Sequence, residues 1–127
     1  MTAAFVGISE IGWQAPIHRD QFITDRELAD LIDKGAVGEI AGWTFDSSGR
    51  LVESDTNDRN AGLPLSELGK AAIIGIGGGF KKVTAIRSAL CGRLISGLIT
   101  DEQTAAAVLE LPESGRPSWV VKDHEVI

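Results

Sequence analysis

Glu39 and Lys82 are the residues whose types and settings invite chemistry. Glu39 follows Gly35-Ala-Val-Gly38 at the start of an extended segment, where a carboxylate can accept paired hydrogen bonds from neighbouring hydroxyls. Lys82 closes Ala71-Ala-Ile-Ile-Gly-Ile-Gly-Gly-Gly-Phe-Lys-Lys82, an apolar run ending in three glycines and a lysine pair. Glycines at the carboxyl end of a strand let a ligand approach the backbone, and in open α/β sheets that edge is where ligands bind. A lysine there, beside the free N–H groups of a helix start, suits hydroxyls or phosphate. Each feature also has a plainer reading. Glu39 alone is compatible with a solvated charge at a strand end. Gly77-Gly78-Gly79 is compatible with a mere strand-to-helix turn, because it has neither the P-loop lysine spacing nor the full dinucleotide glycine pattern.

Other reactive side chains offer less. Cys91 is the single cysteine, which excludes an internal disulfide and a cysteine-cluster metal site, and its neighbours Ala89, Leu90 and Leu94 suit a small buried core residue. His18 and Arg19 fall in a long polar loop and His124 in the tail, with no partner at metal-ligand spacing, so they read as solvent-exposed. Asp46, Asp55, Asp58 and Asp101 stand at turns or a helix start, where aspartate has structural uses. No Ser/His/Asp set or nucleophile elbow stands in a suitable context. We therefore expect no catalytic residues, no metal and no cofactor.

The elements that must position Glu39 and Lys82 follow from periodicity. Ala3–Ile8 reads as a buried strand and residues 9–22 as a loop. Thr24-Asp-Arg-Glu27 is a capping box opening a helix with a Leu28, Leu31, Ile32 stripe, stopped at Lys34-Gly35. Residues 39–46 alternate as one strand, with Ala41 two residues along the same face as Glu39. Asp46-Ser-Ser-Gly49 predicts a turn, Arg50–Val52 a short returning strand, residues 53–60 a loop and Pro64–Leu68 a helical turn. Beyond the glycines, Val83, Ile86, Leu90 and Leu94 mark one face of a helix running on from Lys81. Residues 95–100 suit a strand, and Thr100-Asp-Glu-Gln103 a second capping box for a helix through Leu111.

With 127 residues and 43% hydrophobic content, one globular domain is expected over residues 1–111, followed by a tail at 112–127. Strands alternating with helices predict an α/β fold with a mostly parallel sheet. The formal charge of −6 opposes binding of a phosphate backbone, so this chain alone should not bind DNA. No apolar run approaches the length of a membrane span and the N-terminus lacks the basic start of a secretory signal, which predicts no membrane partner and a cytoplasmic location.

The order of several motifs goes further than any one of them. Phe5-Val-Gly-Ile8, Gly35-Ala-Val-Gly-Glu-Ile40, Phe45-Asp-Ser-Ser-Gly49, Asn57-Asp-Arg59, Gly62-Leu-Pro-Leu65, Gly78-Gly-Phe-Lys-Lys82, Ala85-Ile86 and Leu98-Ile-Thr-Asp-Glu102 follow one another as in a known family. The chain resembles the SorC family of bacterial transcriptional regulators from Ala3 to Leu111. The resemblance implies a NagB/RpiA-like (Rossmann-like) fold and binding of a sugar, polyol or phosphosugar effector. It assigns effector contacts to Glu39 and Lys82, with Ala41, Gly78 and Gly79 lining the pocket. It also implies that the chain is the later part of an effector domain, incomplete at its N-terminal side, with DNA contacted only through a missing N-terminal segment. Loss of neighbouring strands should expose an edge and face of Ala3–Ile8, for which homo-oligomerisation is the expected cover. A sugar-phosphate isomerase-like enzyme and an oligomerisation-only product are the rival readings.

Overall fold

A computed structural model describes residues 3–20, 23–58 and 72–110. Its strands are β1 (Ala3–Glu10), β2 (Ala36–Ile40), β3 (Trp43–Asp46), β4 (Ala72–Ile76) and β5 (Gly97–Ile99). Its helices are α1 (Pro16–Arg19), α2 (Asp25–Asp33), α3 (Asp55–Asp58), α4 (Val83–Cys91) and α5 (Glu102–Glu110), with a 3₁₀ turn at Phe80–Lys82 leading into α4. The sheet order is β3-β2-β1-β4-β5. β1, β4 and β5 are parallel, whereas β2 and β3 are added antiparallel beside β1.

Local chemistry explains the best-defined boundaries. Thr24 Oγ1 accepts from Glu27 N at 3.1 Å while Glu27 Oε1 accepts from Thr24 N at 3.0 Å, so the predicted capping box closes on α2. Gly35 ends the helix at φ +85°, and Lys34 is paired with Asp30 at 3.1 Å. Asp46 Oδ1 accepts from the amides of Ser48 and Arg50, which fixes the predicted turn, and Leu51 bridges back to Phe45.

Several expectations need correction. The segment 39–46 is a hairpin rather than one strand: Ile40 pairs with Trp43 across Ala41-Gly42, whose φ values of +52° and +87° are those of a two-residue primed turn. β1 runs on to Glu10, and the loops expected at residues 9–22 and 53–60 contain the short helices α1 and α3. α5 is capped by Asp101 rather than Thr100, since Asp101 Oδ1 accepts from Thr104 N at 2.8 Å. β2 pairs with β1 only through Ile8, Ser9 and Glu10, so on that side residues 3–7 have no strand partner among the described residues, and the open edge expected there is not overturned. His18 is 10% exposed in its side chain rather than solvated, with Nε2 at 2.7 Å from Asp25 Oδ1. Cys91 is only partly buried. The turn expected at Pro64–Leu68, the Gly62–Leu65 motif, Leu111 and the tail lie outside the described residues.

The main core sits on one face of the sheet. Ile8, Ile40, Phe45 and Ile73 pack against Ala85, Ile86, Ala89 and Leu90 of α4 and Val108 of α5. A second cluster joins α2, through Leu28 and Leu31, to Ile17, Ile23, Ala36 and Val52. On the opposite face, Phe5 is 64% exposed and Ile76 44% exposed. The exposed apolar face expected for β1 is therefore present, beside an edge that β2 covers only from Ile8 to Glu10.

Candidate functional site

Glu39 is placed by the register of β2. It stands opposite Ser9 of β1 and Thr44 of β3, in the middle of the antiparallel part of the sheet. Its neighbour Gly38 faces α4: a Cβ there would come within 2.7 Å of Ala85 Cβ. Strand alternation turns Glu39 toward the other face, the one that carries Phe5 and Ile76. The hairpin supplies its hydrogen bond, because Gly42 N donates to Glu39 Oε2 at 2.8 Å.

The carboxyl group titrates above its ordinary range. Burial raises its pKa most, while the Gly42 hydrogen bond and the Lys82 ammonium pull it partway back. Lys82 thus lies near enough to act on the Glu39 carboxyl group electrostatically, as the weakest of the three influences on it. A half-buried carboxylate with one oxygen held by an amide is a strong acceptor for hydroxyl donors.

The raised pKa fixes a sign. From the ordinary carboxylate value up to the raised value, the native state holds more protons than the unfolded chain, so this group's contribution to stability falls as pH rises through that window. Glu39→Gln keeps an acceptor for Gly42 N and removes the burdened charge. The variant should gain in melting temperature relative to the parent, by more at about pH 7 than at about pH 4. Equal differences at both pH values would refute the desolvation account.

Lys82 ends the 3₁₀ turn that follows the glycines, and it is partly buried. Part of the amide cradle that the composition suggests is used within the fold. Gly77 N donates to Ile99 O, Gly79 N to Thr104 Oγ1, Lys82 N to Gly79 O and Val83 N to Phe80 O. Those four donors are used to hold the loop, which leaves the amides of Gly78, Phe80 and Lys81 and the Lys82 side chain as what it can offer a ligand. Gly78 lies against Asp101, where a Cβ would meet Oδ2 at 2.7 Å, and Gly79 adopts φ +103°.

Two residues of this loop support carried no functional signal in the sequence. Asp101 Oδ2 accepts from Thr104 Oγ1 at 2.9 Å, and Thr104 Oγ1 in turn accepts from Gly79 N at 2.9 Å. The start of α5 therefore clamps the glycine segment and, through it, positions Lys82. These bonds hold the Asp101 carboxyl below its usual range. Ala41 departs from expectation in another way. It occupies the hairpin turn at φ +52° and is exposed, so it does not share a strand face with Glu39. No group of three or more potential metal-binding side chains is found among the described residues, and no described helix is long and apolar enough to cross a membrane.

Comparison with known proteins matches residues 1–110 to the family model described as "Putative sugar-binding domain". The chain is 41% identical over 113 residues to the transcriptional regulator LsrR of Enterobacter sp. (strain 638), covering 86% of this chain and 35% of that protein. It is 33% identical over 107 residues to the erythritol catabolism regulatory protein EryD of Brucella abortus (strain 2308), covering 84% and 34%. Among solved structures, the full-length sorbitol operon regulator SorC of Klebsiella pneumoniae superposes with a TM-score of 0.76 at 29% identity, covering 88% of this chain and 36% of that one. The chain spans about a third of the length of the curated relatives it matches.

Proposed function

The chain belongs to the sugar-binding domain family of bacterial transcriptional regulators, and from that premise we propose that it binds a sugar, polyol or phosphosugar effector between Glu39 and Lys82. The observation that carries this reading is the half-buried Glu39 carboxyl group, held by Gly42 N and within electrostatic reach of Lys82 beyond the glycine-rich end of β4. Glu39 accepts hydroxyl hydrogen bonds, and Lys82 supplies a point charge to a phosphate or a polarised oxygen. Gly78 and Gly79 form the adjoining wall, and Ala41 lies at the far end of the hairpin. The relatives are regulators, which supports binding rather than turnover as the role of these residues. Operator contact lies outside this chain, whose charge of −6 opposes a phosphate backbone, and the setting is the bacterial cytoplasm.

The test is thermal. Erythritol, sorbitol and their phosphates are added separately to the purified chain. A ligand at about 100 times its Kd stabilises by about 2.7 kcal/mol, which is roughly 10 °C for a domain of this size. Glu39→Ala and Lys82→Ala should each abolish the shift, and the phosphorylated arms separate the two ligand classes. Shifts that survive in both variants would remove these residues from the site.

Oligomerisation belongs to the same reading. Phe5 and Ile76 on the open sheet face, with Phe80 90% exposed at the tip of the adjoining turn, favour self-association that covers them. Size-exclusion chromatography with light scattering should find a dimer or larger species at micromolar concentration, and a clean monomer would overturn the proposal.

A further inference from the structure

We infer that the chain carries a second small-molecule site, on the α4 side of β1, that takes a neutral polyhydroxylated ligand through Glu10, Trp13 and Lys81. A cleft of about 490 Å³ opens there between the end of β1, the start of β2 and the first turn of α4. Glu10 pairs with Gly38, the residue that faces Ala85 of α4, so alternation places Glu10 on the face opposite Glu39. The two sites are therefore separated by the sheet.

Three features of the lining point to a ligand. Glu10 Oε1 is buried yet has no hydrogen-bond partner among the described residues. Leaving a buried carboxylate oxygen unpaired is costly, and a ligand hydroxyl that Glu10 meets by turning its side chain into the cleft would relieve that cost. Trp13, 58% exposed, lines the same cleft and offers indole surface to the C–H face of a sugar or polyol. Its ring is fixed by an edge-on contact with His18 at 5.2 Å between centroids. Lys81 lines the cleft too, so one carboxylate and one ammonium share it and a neutral ligand leaves their charges balanced.

The backbone of this wall is also unusual. Gln14, which lines the cleft, adopts φ +66° and donates its amide to His18 Nδ1 at 3.0 Å. A non-glycine residue held in that region stores strain, and such strain is common where a ligand is gripped.

The full chain, labelled with ¹⁵N, should be titrated with erythritol, sorbitol and ribose in separate experiments while the Trp13 indole N–H is followed, its signal identified by its loss in Trp13→Phe. At least one of them should move the signal saturably in the millimolar range. The response should persist in Lys82→Ala, which disables the Glu39 site. It should weaken by about tenfold or more in Glu10→Ala, as expected for one lost hydrogen bond to a charged group. If Glu10→Ala does not fold, Lys81→Ala, at an exposed position, should show the same weakening. A linear drift with all three compounds overturns the inference. So does loss of the response in Lys82→Ala with retention in Lys81→Ala. A response to glycine betaine but to none of the polyols would overturn the ligand class.

Discussion

Gly49→Ala is expected to cost on the order of 3–5 kcal/mol, enough to unfold much of a domain whose total stability is about 5–15 kcal/mol. Gly49 closes the β3 turn at φ +80°, and a left-handed residue with a Cβ costs about 1–2 kcal/mol in itself. The larger part is steric. A Cβ at Gly49 would stand 2.4 Å from Gly92 Cα and 2.4 Å from Ser88 O, both of them backbone atoms at the end of α4. Backbone cannot rotate away as a side chain can, so the turn must part from the helix and uncover the core between them.

Gly35→Ala is the control. That residue has φ +85° and nothing within 4 Å of the added Cβ, so it should lose only the conformational share. Thermal or urea denaturation of the pair measures the difference directly. Equal losses would show that the contact between the β3 turn and α4 is not as close as described.

What could be read from sequence followed what is local. The Thr24 capping box, the glycine stop at Gly35 and the Asp46 turn are set by neighbours within four residues, so composition alone placed them. The Ala41-Gly42 reversal was missed because Trp43-Thr-Phe-Asp continues the alternation on either side, and an alanine at positive φ gives no turn signal. That miss matters for the site, since Gly42 is the donor that holds Glu39. The Thr104 clamp on Gly79 and the Glu10 cleft join residues far apart in the chain, which periodicity cannot see. Glu39 and Lys82 stand out by type and setting, and the ordered motifs assign them a role, but their electrostatic proximity is a property of the fold that neither residue's neighbours could disclose. The same motifs also contain residues whose roles are structural. Gly49 is one, and Asn57 is the other.

Asn57→Ala should lower stability by about 3 kcal/mol or more, through loss of one side chain that serves four partners. Asn57 is 6% exposed on α3, in a stretch that reads as a polar loop. Its Oδ1 accepts from Thr44 N at 2.9 Å and from Thr44 Oγ1 at 3.1 Å. Its Nδ2 donates to Thr44 O at 3.0 Å and to Val52 O at 2.7 Å. The amide side chain thus extends the sheet by standing in for a further strand beside β3, and truncation strands the buried Thr44 N–H and hydroxyl where water does not reach. At about 4 °C per kcal/mol the melting temperature should fall by about 12 °C. Asn57→Asp discriminates the cause. A carboxylate retains the acceptor but sets negative charge against two carbonyl oxygens, so this variant should be at least as unstable near neutral pH. It should recover in acid, where the protonated group can donate once more. Because β3 carries the hairpin whose Gly42 amide holds Glu39, both variants should also weaken any effector-induced thermal shift. A fall of under about 3 °C in Asn57→Ala would mean that water satisfies these groups and that β3 is held chiefly by its packing against α4.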